Sequence, residues 1–175
     1  SSAKYSILLG DYLVKSGQVT EAVNKYESAI DIDKNNEEGM LHLAFNSLAN
    51  IYLDQGINFD EAERMIYKSF SLYRKTKSKN PNELCLIQNT SGWICYHKNQ
   101  FKRAVFLMEK TLPALINNQR AHARLAMAYE KYSESVNDQS LKNRTKENAN
   151  EQWQIVKTLN PSSSFGLMAE QKSKN

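Results

Sequence analysis

SGWICYHKNQFKRA, running from Ser91 to Ala104, sets Gly92, Trp93, Cys95, Tyr96 and His97 within a few positions of one another. Read as chemistry, the stretch is a cysteine beside its histidine base. Read as structure, it is the packing edge of a helix. A nucleophile and its base must meet in space, yet residues two apart on a helix point about 200° apart. A helical reading therefore separates Cys95 from His97, and the rest of the chain decides which reading holds.

With 175 residues the chain is long enough to bury a core as one domain, here taken as residues 1–175. Its 6 glycines and 3 prolines, set among abundant leucine, alanine, lysine and glutamate, point to an all-α protein. No run approaches the ~18 apolar residues of a membrane span, so direct membrane insertion is not expected. The opening SSAKY lacks the charged-then-apolar order of a signal segment and does not start with methionine. The chain reads as soluble and cytoplasmic in preference; an origin in a longer, targeted precursor is left open, and with it a periplasmic location if a signal segment has been removed. A net charge of +4 is modest, and the densest basic run, Arg74 to Lys79, lacks interleaved aromatics. No nucleic acid is expected as partner; the run reads as a solvated helix end.

Cys85 and Cys95 on one helix would lie ~15 Å apart along its axis, too far for a disulfide. His42, His97 and His122 show no ligand spacing, so neither a metal nor any other cofactor is expected. There is no phosphate loop, GxSxG or HExxH, and the chain reads as a non-enzyme.

One arrangement recurs along the chain: a small residue, then three positions on an aromatic or its substitute, a glycine-like turn, and an alanine opening a second helix. The first copy reads Leu9-Gly10-x-x-Leu13, Gly17, Ala22, Tyr26, Ala29. The second reads Leu48-Ala49-x-x-Tyr52, Gly56, Ala62, Ile66, Ser69. The opening stretch gives Gly92-x-x-Cys95, Asn99, Phe101, Ala104, Met108. The last begins Leu125-Ala126-x-x-Tyr129, pauses for extra residues, and resumes at Ala149, Trp153, Val156 and Pro161.

This pattern resembles the tetratricopeptide repeat (TPR), a helix-turn-helix unit of about 34 residues. The resemblance covers residues 3–36, 42–76, 85–118 and 119–163, with 164–175 left as a polar tail. Lys34, Arg74 and Ile116 replace the closing proline, and Ser91 stands where leucine is usual. The TSGW-x-CY segment is similar to a variant common in bacterial members, which implies a bacterial source. The fold implied is a right-handed α-α superhelix, a solenoid of about four helix pairs, with a mobile loop near 136–141 in the last pair. On this reading Cys95 takes a buried tyrosine position and is an inert core thiol. Asp60 with Glu63 is expected to cap the second helix of its repeat.

The resemblance implies a protein-protein interaction module or scaffold whose first helices line a concave groove. Counting along those helices puts Lys4, Ile7, Asp11, Asn46, Asn50, Asn89, Thr90, Trp93, Tyr96, His97, Arg120, Arg124, Met127 and Glu130 on that groove. Asn46, Asn50, Asn89, Trp93, Tyr96, His97, Arg120 and Arg124 are the expected contacts to a protein or peptide partner, which the two arginines favour as acidic. Asn46, Asn50, Thr90, Arg120 and Arg124 are also similar to the carboxylate clamp of the chaperone-binding class, although its leading lysine is missing. Two other roles stay open. One is a structural module that oligomerises through a poorly sealed terminal repeat. The other is the regulatory part of a larger protein.

Overall fold

In the first helix, Ala3, Ser6, Ile7 and Gly10 fall at helical spacing and are all buried, so one stripe of α1 (Ala3–Lys15) must face a neighbour. That neighbour is α2 (Val19–Ile32), which turns Ala22, Tyr26 and Ala29 inward. A Cβ on Gly10 would come within 2.7 Å of the Tyr26 ring, so the missing side chain is what admits the tyrosine. The Tyr26 hydroxyl then donates to Asp11 Oδ1 at 2.7 Å, giving the buried ring's polar tip a partner.

The computed structural model describes residues 2–77 and 79–173. It falls into two compact units, residues 1–90 and 91–175. The first holds α1, α2, α3 (Leu41–Asp54), α4 (Phe59–Lys75) and the start of α5 (Pro81–His97). The second holds the end of α5, α6 (Phe101–Thr111), a 3-10 turn at Leu112–Ala114, α7 (Gln119–Ser135), α8 (Gln139–Leu159) and α9 (Ser164–Lys172). No strand occurs among the described residues. The chain is an all-α helical-repeat protein of the solenoid class.

The recurring turn has one chemistry. Gly17, Gly56 and Asn99 all take left-handed backbone, with φ of 76°, 68° and 58°. At each, the following amide bonds back across the helix end: Gln18 N to Leu13 O at 2.9 Å, Ile57 N to Tyr52 O at 3.1 Å, Gln100 N to Cys95 O at 2.9 Å. The turn residue's own amide reaches Val14, Leu53 and Tyr96 respectively. This pair of bonds is a Schellman motif, and it satisfies carbonyls that the helix end leaves over. Asparagine can replace glycine at Asn99 because it tolerates left-handed backbone better than other side chains.

In the first unit, Ile7, Tyr26, Leu41, Phe45 and Leu48 build one core across α1, α2 and α3. The α1 terminus is held from the connection between α2 and α3: Glu38 accepts the amides of Ala3 and Lys4 at 3.0 and 2.9 Å and the Ser2 hydroxyl at 2.8 Å. Those bonds, the Lys4 amide first, keep the Glu38 carboxyl below its usual pKa. In the second unit Ala123, Ala126, Trp153, Val156 and Ala169 share a core.

Four expectations change here. α4 begins after Asn58, which is left-handed and makes no side-chain cap; Asp60 already sits inside the first turn. Ile7, expected on the groove, is buried in the core. The extra residues of the last pair form no long loop near 136–141, because α7 and α8 run on to within three residues of each other. The position matching Gly17 and Asn99 is Ser133, which stays helical and buried, so no left-handed stop ends α7 early. Asp138 starts α8 by accepting the Leu141 amide at 2.7 Å. The stretch after Pro161, expected as a polar tail, instead forms α9. Ser163 caps it through the Gly166 amide at 2.9 Å, Ala169 is buried, and Lys157 pairs with Glu170 at 2.5 Å.

Gly92 tests the packing directly. A Cβ there would lie 2.9 Å from Met108 Cγ and 3.3 Å from the Ala104 carbonyl oxygen, and the latter cannot swing away. Gly92→Leu is expected to destabilise the protein by ~1–3 kcal/mol through overpacking, read as a lower urea midpoint with an unchanged slope.

Candidate functional site

The aromatic residues of the opening stretch lie on the end of α5 and are brought together by its 3.6-residue period. Trp93 and Tyr96 stack at 4.4 Å with their planes 16° apart, and His97 meets Trp93 edge-on at 4.7 Å. Phe101, just past the turn, extends the cluster to Tyr96 at 5.7 Å. From α7 the Arg124 guanidinium sits over the Trp93 ring at 5.1 Å, a cation-π contact. Trp93 is only 6% exposed and its Nε1 has no hydrogen-bond partner among the described residues. Tyr96 and His97 are partly exposed, and burial raises the Tyr96 phenol above its usual pKa.

That arrangement answers the opening question. His97 spends its ring on Trp93 and Tyr96, while Cys95, at 8% exposure, lies in the packed interior. Both cysteines are free thiols.

The remaining expected contacts divide by depth. Arg120 is partly exposed in the first turn of α7, whereas Arg124 is only 2% exposed. In the first unit Asn46 and Asn89 are buried and Asn50 is partly exposed. The Asn50 amide nitrogen donates to Asn46 O at 2.9 Å and to Thr90 Oγ1 at 3.1 Å, so both of its protons are engaged within the unit. Thr90 in turn lies 3.0 Å from the Leu86 carbonyl. A carboxylate clamp needs donors turned outward, and these two face each other. Of the wider set, Asp11 accepts from Tyr26, and Glu130 accepts from Trp153 Nε1 at 2.9 Å and pairs with Lys172 at 2.9 Å.

A feature absent from the sequence reading lies between α6 and the α7–α8 hairpin. Phe101, Phe106 and Tyr132 line an open groove of about 660 Å3 with Lys102 and Arg103 on its rim. Phe106 is 62% exposed although its neighbours Ala104, Val105 and Met108 are buried. An aromatic off the apolar stripe of an amphipathic helix was the available signal.

Helix pairs joined by left-handed turns define a helical-repeat protein. A family model described as TPR repeat matches residues 10–56, and the chain is a TPR-containing protein. No curated protein sequence matches it. TPR repeats generally mediate protein-protein interaction or scaffolding, and as a family they are generally non-enzymatic. No described helix is long and apolar enough to cross a membrane.

Burial gives two checks. A thiol reagent applied to native protein is expected to modify half-buried Cys85 well before Cys95, with Cys95 reacting only at the rate of unfolding; equal rapid labelling would contradict the packing of α5. Tyr129, buried and donating its hydroxyl to Glu109, has its pKa pushed well up, by burial first and the carboxylate second. The unfolded chain then releases this proton near pH 10 while the folded chain holds it. The stability Tyr129 contributes is therefore complete below about pH 10 and is lost as pH rises above it. Tyr129→Phe should flatten that alkaline decline in thermal melts.

Proposed function

We infer that the chain is an interaction module that takes a peptide or partner-protein segment bearing an acidic group, with Tyr96, His97 and Arg120 of the second unit as contacts. Arg124 and Trp93 act behind them as the frame that fixes the end of α5 against α7. Asn46, Asn50 and Asn89 of the first unit act in this reading as internal support, Asn46 and Asn89 by burial and Asn50 through its bonds to Asn46 and Thr90. The observation that carries the reading is the stacked Trp93–Tyr96–His97 cluster held under Arg124, which leaves an aromatic edge and an imidazole partly exposed on a rigid support. Rigid aromatics lose little entropy on binding and are enriched among interface residues that carry most of the affinity. An arginine one helical turn from Arg124 supplies a charge-assisted partner for a carboxylate.

The test is capture of partners by wild type and by Tyr96→Ala and Arg120→Ala, followed by titration of the captured partner. Loss of one charge-assisted contact typically costs ~1.5–3 kcal/mol, so Arg120→Ala should weaken binding at least tenfold, and added salt should weaken the wild type in the same direction. A partner held equally by all three proteins would place the working surface elsewhere.

A second reading has its own observation. Tyr5, Leu8 and Tyr12, spaced i, i+3, i+7 on α1, are all largely exposed, a stripe suited to assembly through the first repeat. Sedimentation that depends on protein concentration, and is lost in Tyr5→Ser/Leu8→Ser, would favour it.

A further inference from the structure

The extra residues that interrupt the last helix pair build a second surface. Because Ser133 does not stop α7, the helix continues to Ser135, and Tyr132 and Ser135 become one wall of the groove beside α6. Past Phe106 and Tyr132 the groove runs into a smaller depression of about 240 Å3, whose far wall is Leu141, Arg144 and Asn148 of the early part of α8. The departure from the repeat length thus supplies most of one side. The floor is aromatic, and Phe106 stands in it 62% exposed without serving the α6 packing stripe.

The rim carries charge of one sign left over. Lys102, Arg103 and Arg144 line the two depressions, and none of them is in an ion pair among the described residues. The carboxylate lining the smaller depression, Glu109, accepts the Tyr129 hydroxyl. Three cations around an apolar trough match a chain segment with the opposite arrangement.

We propose that this groove docks an acidic linear peptide segment by one bulky apolar side chain, seated between Phe106 and Tyr132, with flanking carboxylates on Lys102, Arg103 and Arg144. The volume suits a side chain or two with adjoining backbone rather than a folded domain. The apolar anchor carries the affinity, because exposed ion pairs contribute little on their own. The cations select acidic flanks and speed encounter. This surface shares Phe101 with the Tyr96 cluster but is lined by none of Tyr96, His97 and Arg120, so the loss of Arg120 distinguishes the two.

A fluorescein-labelled short peptide, a central phenylalanine flanked on both sides by glutamates with glycine spacers, tests the assignment on the intact chain. Amide shift changes at Phe101, Phe106, Tyr132 and Ser135 are expected, with anisotropy giving a saturable isotherm. Phe106→Ala and Arg103→Glu, both exposed changes, should each weaken binding roughly tenfold or more. Alanine in place of the peptide's phenylalanine should abolish it, and raised salt should weaken it. Arg120→Ala should leave it unchanged. The proposal is overturned if the lysine-flanked version binds as well, if an oligothymidylate displaces the peptide at lower concentration, if Arg120→Ala removes binding, or if no shift appears at this groove at millimolar peptide.

Discussion

Left-handed backbone at a single residue after each first helix is the constraint on which the regular pairs depend. A Cβ in that region meets the following carbonyl at a cost of order 1–2 kcal/mol, so only glycine and asparagine hold it cheaply. With Gly17, Gly56 and Asn99 in place, the chain reverses within three or four residues and the crossed amide bonds close the helix end. The reversal then delivers the second helix at close range. Tyr26 reaches Gly10, and Met108 with the Ala104 carbonyl reaches Gly92. Close approach is possible only because the first helix offers no side chain there, so turn residue and small residue are two halves of one geometry.

Where the turn residue is absent, the structure changes in a way that follows from the same rule. Ser133 has no reason to leave the helical region, and its hydroxyl bonds back to the Glu130 carbonyl at 2.7 Å as helical serines do. α7 therefore runs on, α8 starts early at an Asp138 cap, and residues that would have made a tight turn become helix walls. The groove beside Phe106 is the consequence of a missing glycine.

The first three pairs were legible in the sequence because each carries both halves of that geometry at fixed spacing. The burial of Cys95 was legible for the same reason. The last pair was not, since a pause in a repeat pattern says that residues are added but not whether they loop or extend helices. α9 was hidden because Ser164 to Lys172 has no strong apolar stripe; it packs through Gly166, whose Cβ would run into the Asn160 and Pro161 carbonyls, and through Ala169. Asp60 failed as a cap because Asn58 takes the left-handed position and the helix begins two residues earlier than a capping box requires. In the candidate site, counting along helices could not give the depth at which Asn46, Asn89, Trp93 and Arg124 lie. Depth depends on which neighbouring helix covers them, and that is a tertiary property.

The depth of Arg124 changes what its charge is for. Burying a guanidinium costs several kcal/mol unless the charge is compensated, so a 2% exposed arginine is retained only with close partners. The Trp93 ring face is one, and it is itself buried by the contact. The pair joins the end of α5 to α7 in the second unit and fixes the rotation of α5 about its axis. Tyr96 and His97, three and four positions on, inherit that rotation. In the proposed role, a partner would meet side chains whose orientation is set by a buried charge behind them. Removing Arg124 is then expected to lower stability through the loosened end of α5, and to act on any binding at Tyr96 and His97 only by that route.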